Sequence, residues 1–372
     1  MSLKRAIIAG TGLYVPEPVI TNDELVASFN TWVEKARQTP ELYPGLDLRP
    51  SSTDFILKAS GIEQRHVLEK DGILDPERMV PRIPERPNDA LSVQAEFAVR
   101  SAEKAIADAG IAASDIDMVI CSCAHHQRPY PAIAIEVQQA LGCGGGGFDM
   151  NVACSASTFA LHMAVNLVRS GAARNVLVTS PEIMSGHLNW RDRETHFIFG
   201  DASASAVISA LDDGAGAPGR FEVMTTRVWT QFSSNIRSNF GFLNRADERG
   251  IGLPDKLVTQ AGNKVFREVT VAADHFIERF LDDNGLCAHD LDRFWLHQAN
   301  KRMNVALMTR LLGHEPSDEE MPLVLDKYAN TAAPGSLISF HENHADLQAG
   351  DLGLMCSYGA GYSIGALLLK KL

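Results

Sequence analysis

Two segments half a chain apart read as copies of one another, and this restricts the fold more than any other feature. Gly110-Ile111, three residues, Asp115-Ile116-Asp117 and the apolar run Met118-Val119-Ile120-Cys121 return as Gly285-Leu286, three residues, Asp290-Leu291-Asp292 and Phe294-Trp295-Leu296, an offset of 175 positions (285 minus 110) in a chain of 372. Each copy follows a stretch of helical spacing, Ala95 to Ala109 or Val271 to Asp283, which ends near a glycine and leads into a short buried strand. A second echo closes each half: Phe199-Gly200-Asp201-Ala202-Ser203-Ala204-Ser205-Ala206-Val207-Ile208 resembles Tyr358-Gly359-Ala360-Gly361-Tyr362-Ser363-Ile364-Gly365-Ala366-Leu367, a glycine turn feeding a strand of small residues. The chain therefore divides into two halves of one architecture, 1–214 and 215–372, joined through the Gly- and Pro-containing segment Asp212 to Gly219. Apolar strands at Asn175 to Thr179 and Leu354 to Ser357 alternate with helical segments, which predicts layered α/β structure with mixed sheets. Residues 30–90 break the pattern: they are charged, weakly periodic and punctuated by Pro81, Pro84 and Pro87. They read as an insertion that covers one face, a candidate lid.

Length and composition narrow the function classes. At roughly 150 residues per domain the chain can bury a large core. A net charge of -12, from 34 basic and 46 acidic residues, disfavours nonspecific nucleic-acid binding and still allows a local basic patch for an acidic partner. The apolar run Ala6-Ile7-Ile8-Ala9 is soon interrupted by Gly10, Gly12 and Pro16, so it reads as a first strand and not a signal peptide. Asn151 to Val168 carries no charge over 18 residues, but its Asn, Ser, Thr and His content fits a buried helix better than a membrane span. Six cysteines, at 121, 123, 143, 154, 287 and 356, form no CxxC pair, which predicts reduced thiols in a cytoplasmic protein and no metal site.

One cysteine stands apart. Phe148-Asp149-Met150-Asn151-Val152-Ala153-Cys154-Ser155-Ala156-Ser157 reads as a strand end, a sharp turn and the start of a buried helix. A thiol in the first turn of that helix faces unpaired backbone N–H groups and the positive end of the dipole, which favours thiolate. The repeat offset carries position 154 to within one residue of Asn330, in Tyr328-Ala329-Asn330-Thr331, again a strand end, a turn and a helix start. If the halves pack about a pseudo-twofold axis, Cys154 and Asn330 face one another. His297, in Leu296-His297-Gln298-Ala299-Asn300, stands where the second-half strand runs out, the edge at which α/β sheets carry ligand chemistry.

The Asn151-to-Thr158 turn, the string His297-Gln298-Ala299-Asn300-Lys301-Arg302, the string Tyr328-Ala329-Asn330-Thr331 and the Tyr358-to-Gly365 turn together resemble β-ketoacyl-acyl-carrier-protein synthase III, of the thiolase superfamily. The resemblance runs from Gly10-Thr11-Gly12 nearly to the end of the chain. It implies the duplicated α/β/α/β/α five-layer fold, a homodimer and a Cys-His-Asn triad at Cys154, His297 and Asn330. It further implies acylation of Cys154 by an acyl-CoA, decarboxylation of a malonyl thioester on acyl carrier protein with His297 and Asn330 stabilising the enolate, and an oxyanion hole made by the N–H groups of Cys154 and Ala360. Arg193, Asn263 and Arg302 match positions serving the CoA or phosphopantetheine arm, and Arg267 matches a basic position near the channel mouth. Phe55 and Ala59 stand where the family commonly has a Trp and an Arg against the adenine. The extra length at 30–50 and 67–90 implies an acyl pocket reshaped for a donor longer than acetyl.

Other readings use the same residues. A thiolase needs a second catalytic cysteine in a Cys-x-Gly-Gly-Gly turn; Cys356 is displaced by one residue from that place, and one step along a strand reverses the face, so it is expected to be structural. A non-decarboxylating acyl-acyl condensing enzyme, an acyltransferase releasing the chain to another nucleophile and a silent subunit of a heterodimer are the remaining alternatives.

Overall fold

The computed structural model describes residues 3–212, 216–239, 243, 246 and 257–372, and its main sheet is duplicated as the sequence is. Nine strands, β1 Arg5–Tyr14, β2 Met118–Ser122, β3 Gly146–Met150, β4 Asn175–Glu182, β5 Ala202–Leu211, β6 Phe221–Thr230, β7 Arg293–Leu296, β8 Leu352–Gly359 and β9 Ser363–Lys371, are hydrogen-bonded in the order β7-β8-β9-β6-β1-β5-β4-β2-β3. In the first half β2 runs parallel to β4, β4 antiparallel to β5, and β5 antiparallel to β1. In the second half β7 runs parallel to β8, β8 antiparallel to β9, and β9 antiparallel to β6. The pairings are the same, taken in the same order. The halves join at a narrow seam, Ile7 opposite Glu222 and Ile8 opposite Phe221. Strand β3, parallel to β2, ends the sheet on one side. The expected join at 214/215 lies outside the described residues.

Eight helices of eight or more residues are described: α1 Asn22–Ala36, α2 Thr53–Ser60, α3 Val93–Ala109, α4 Ile133–Leu141, α5 Ala156–Ser170, α6 Gly262–Asp282, α7 Lys301–Leu312 and α8 Gly335–Glu342. Strand alternation sorts the apolar residues between them. Ile8, Ile120, Val176, Trp295, Met355 and Leu367 point to a shared central layer with Leu161 and Val165 of α5 and Leu337 of α8. Their neighbours along the strands point outward: Ile7, Val119 and Leu177 pack with α3 and α4, while Phe294, Leu354 and Leu368 pack with α6 and α7. The result is the expected five-layer α/β/α/β/α stack. Shifting any of these strands by one residue would exchange the two faces, and because both are apolar it is the size and fit of the side chains that sets the register.

Residues 30–90, expected as an insertion covering one face and a candidate lid, are packed and anchored. The chain up to Ala36 is α1, started by a capping box in which Thr21 and Glu24 bond reciprocally to the backbone. Leu25, Phe29, Trp32 and Val33, on one helical face, are buried with Ile56, Val67, Ile73, Trp190 and Phe197 in a core of their own. The charges of Glu24, Glu34 and Lys35 on the opposite face diluted this pattern in the sequence. Asn300 Nδ2 donates to the Ala59 carbonyl at 2.6 Å, so the segment is bolted to the second half as a fixed wall.

Candidate active site

The nucleophile turn is held by its own first residue. After β3, Asn151 Nδ2 donates to the Ala124 carbonyl at 2.9 Å and Oδ1 accepts the Ala153 N–H at 3.0 Å. Ala153 is thereby kept at φ 46°, a left-handed conformation costly for a residue with a Cβ. Cys154 then falls in a single 3-10 turn, Ala153–Ser155, two residues before α5 and not in its first turn as the sequence suggests. Ser155 Oγ donates to the Ser363 carbonyl and Ser157 Oγ to the Ala333 carbonyl, at 3.1 and 2.7 Å, which fastens this turn to the other half. A Cβ on Gly359 would lie 2.6 Å from Cys154 Cβ, so the Tyr358-Gly359 step admits glycine for closeness of approach.

The second half builds the opposing wall from the equivalent turn. Ala329 takes φ 57°, and Asn330 N–H donates to the Ile198 carbonyl at 2.9 Å while its own carbonyl accepts Gly200 N–H at 3.1 Å. Asn330 Oδ1 accepts the Ala332 N–H at 2.9 Å, which turns the amide nitrogen and its two N–H bonds toward the cavity. His297 follows β7; its N–H donates to the Cys356 carbonyl and its carbonyl accepts from Asn304 Nδ2, both at 2.9 Å. Asn304 Oδ1 in turn accepts the Tyr358 hydroxyl at 2.5 Å, and the Tyr358 ring meets the imidazole edge to face. Burial lowers the His297 pKa to about 4, so the ring is neutral at pH 7, and Nδ1 has no hydrogen-bond partner among the described residues.

Cys154, His297 and Asn330 line one cavity of about 660 Å³. The Cys154 side chain opens into that cavity and is otherwise enclosed, and burial pushes its thiol up to about 11, against the opposing pull of the Ala360 N–H and its own N–H. The thiolate expected from the helix start is therefore not the resting form: removal from water outweighs a few backbone dipoles. Glu182, at the end of β4, adds to this effect and was not singled out from the sequence. It is fully buried; Oε1 accepts the N–H groups of Ala124 and Ala333 at 2.6 and 3.3 Å, Oε2 has no hydrogen-bond partner among the described residues, and its pKa is raised by burial to about 8. The signal available was a lone acidic residue closing an otherwise chargeless strand. Cys356, by contrast, faces the outer layer with Leu354, buried, its thiol pushed up by desolvation.

The residues expected to bind substrate divide. Phe55, Asn263 and Arg302 line the cavity, with Ala59. Arg193 does not line it: its guanidinium lies 4.0 Å over the Phe55 ring and its Nε donates to the Pro50 carbonyl at 3.0 Å, so it backs Phe55. Arg267 also lies outside the lining, exposed on α6 with Nε 3.3 Å from the Asn263 carbonyl, because the helix turns that position outward. Phe197, Phe199, Phe266 and Val269 supply apolar wall.

Comparison with known proteins places this geometry. Residues 148–225 match the family described as 3-oxoacyl-[acyl-carrier-protein (ACP)] synthase III, and residues 281–371 match its C-terminal part. The chain is 50% identical over 348 residues to a β-ketodecanoyl-[acyl-carrier-protein] synthase of Pseudomonas aeruginosa, covering 92% of this chain and 99% of that protein. It is 30% identical over 374 residues to a β-ketoacyl-[acyl-carrier-protein] synthase III of Granulibacter bethesdensis, covering 99% of this chain and all of the relative. The crystal structure of 3-oxoacyl-[acyl-carrier-protein] synthase III from Aquifex aeolicus superposes with a TM-score of 0.76 at 25% identity, over 98% of this chain and 99% of that one.

Proposed function

The chain belongs to the 3-oxoacyl-acyl-carrier-protein synthase III family of the thiolase superfamily, and from that premise we propose that it condenses a medium-chain acyl-CoA with malonyl-acyl carrier protein in fatty acid biosynthesis or a related pathway. The observation that carries the reading is that Cys154, His297 and Asn330, from two different halves, share one cavity. In the first step Cys154 Sγ bonds to the acyl carbonyl carbon, the carbon–sulfur bond to CoA breaks, and CoA leaves as its thiol with the Cys154 proton. The oxyanion of that step lies where the Cys154 and Ala360 N–H groups already point. In the second, the malonyl group loses CO2 and the enolate oxygen is held by neutral His297 and the Asn330 amide. The enolate carbon then attacks the acyl-cysteine, and the Cys154 thiolate departs. A protonated His297 would be discharged by the enolate, so the depressed pKa suits the role.

Donor length follows from the relative and the walls. The P. aeruginosa relative is named for a β-ketodecanoyl product. Two of those ten carbons derive from the malonyl unit, which leaves an eight-carbon donor, and the phenylalanine-rich cavity offers such a chain apolar contact. The carrier protein, acidic as such carriers are, docks at the exposed Lys301, Arg302 and Arg267 beside the mouth. A second copy pairs along the outer edge of β3, near which Tyr130 and Ile135 are 81% and 46% exposed, to make a homodimer. Six free thiols accord with a cytoplasmic enzyme, and among the described residues no helix is long and apolar enough to cross a membrane.

The test is to incubate the protein with acyl-CoAs of graded length, weigh the intact protein, and then add malonyl-acyl carrier protein. A Cys154 adduct that peaks near eight carbons and discharges on extender is expected. An adduct that forms but discharges only with a second acyl-CoA would favour the non-decarboxylating alternative.

A further inference from the structure

A second cluster of chemistry-bearing side chains lies behind the nucleophile turn, at the outer edge of the first-half sheet. Strands β2 and β3 are parallel and in register with Cys121 opposite Asp149, and the Cys123 N–H continues the ladder to the Met150 carbonyl at 3.2 Å. Alternation puts Cys121 and Cys123 on one face with Asp149, and the chain then turns so that His126 folds back over them. Both sulfurs are fully buried. The donor atoms of Cys121, Cys123 and His126 all lie within 4.8 Å of one another. His126 Nε2 is buried without a hydrogen-bond partner among the described residues and stands 3.8 Å from Asp149 Oδ2. Two soft sulfurs and one borderline nitrogen thus converge, a carboxylate oxygen stands beside the nitrogen, and that nitrogen is unsatisfied among the described residues.

From this convergence we propose that Cys121, Cys123 and His126, with Asp149 in the fourth position, bind a zinc ion. Two thiolates and an imidazole select a borderline-soft d10 ion over magnesium or calcium, and a tetrahedral ion needs no more than four donors. Donor separations in such a site run roughly 3.3–3.8 Å, so the two sulfurs and the imidazole nitrogen close by about 1.5 Å at most. Supporting contacts of the kind metal sites use are in place. Gln94 Nε2 donates to Cys123 Sγ at 3.2 Å while also bonding the His125 and Pro181 carbonyls at 2.7 and 3.0 Å. Asp149 is steadied by the N–H groups of Ile133 and Ala134, each at 2.8 Å. Binding breaks two S–H bonds and releases both protons to solvent; two sulfur–zinc bonds, one nitrogen–zinc bond and one oxygen–zinc bond form, with no change of oxidation state. The half-buried His126 side gives access from the surface. Ala124, inside the Cys123–His126 turn, bonds both Glu182 and Asn151, so an occupied site would stiffen the back of the active site.

This departs from the expectation of no metal, because Cys-x-Cys-x-x-His matches none of the usual zinc spacings and the carboxylate comes from another strand. The test uses Co²⁺ as probe on reduced full-length protein. One Co²⁺ per chain, with thiolate charge-transfer absorption, tetrahedral visible bands and displacement by equimolar Zn²⁺, is expected, unchanged in Cys154→Ala and Cys356→Ser. Cys123→Ser and His126→Gln should each weaken binding at least tenfold, and Gln94→Leu by about 10-fold or more. If Cys123→Ser fails to fold, His126→Gln alone decides, since that side chain is partly exposed and no hydrogen bond of Nε2 is lost. Absence of charge-transfer absorption in the wild type, absorption that persists unchanged in His126→Gln, or absorption that vanishes in Cys154→Ala overturns the proposal.

Discussion

The turn that carries Cys154 and the turn that carries Asn330 are one backbone device used twice with different chemistry. Ala153 at φ 46° precedes the cysteine and Ala329 at φ 57° precedes the asparagine, an offset of 176 (329 minus 153) that matches the repeat to one residue. The first turn opens a helix of 15 residues and the second, after an interval, one of 8. In the first, the side chain is left to the cavity and to two backbone N–H groups; in the second, the side-chain oxygen is spent on its own turn and only the amide N–H groups face outward. Duplication supplied the geometry. The side chain then decided which turn forms a bond and which only donates hydrogen bonds.

The largest expected effect separates the two turns outright. Cys154→Ala should abolish the acyl adduct, while Cys356→Ala, on the outward face of β8, should leave it. Mass spectrometry of the intact chains checks both, and an adduct surviving in Cys154→Ala would reject the assignment. Next, Asn330→Ala and His297→Ala should each slow condensation on the order of 100-fold while self-acylation stays close to wild type, because their N–H groups are asked to act only at the enolate. Single-turnover assays with pre-acylated protein separate the steps; equal loss of acylation would mean the pair activates the thiol instead.

Glu182 touches both turns' surroundings and provides a pH test. Its folded pKa, raised to about 8 from 4.5, makes the native state hold a proton that the unfolded chain releases across that interval. The stability it contributes is fully present below about 4.5 and is lost as pH rises toward 8. Glu182→Gln cannot ionise and should gain on the wild type over that range, reaching a few kcal/mol at pH 8. Denaturant melts at several pH values would show this, and a difference flat with pH would contradict it. The smallest effect sharpens the comparison itself. Ala329→Gly, at φ 57° and ψ -161°, should stabilise the fold by about 1–2 kcal/mol, since that region is nearly reserved for glycine. No gain in denaturant melts would mean that the Ala329 turn is not strained.

The sequence by itself determined the duplication, the layer pattern and the three residues that meet in the cavity. Each is written locally: strand alternation and helical spacing are short-range, and an offset near 175 needs only counting. The wall from residues 22–60 was partly hidden, because charges on its solvent face masked an apolar stripe that only packing against Trp190 and Phe197 makes evident. What tertiary structure alone decided is how each group behaves. The Cys154 thiol sits near 11 because the two halves close over it, Arg193 turns to back Phe55, and Glu182 loses its water to a backbone cradle drawn from residues 58 positions before it and 151 after it. Desolvation depends on everything that surrounds a group, and those surroundings come from distant parts of the chain, so no local pattern carries it.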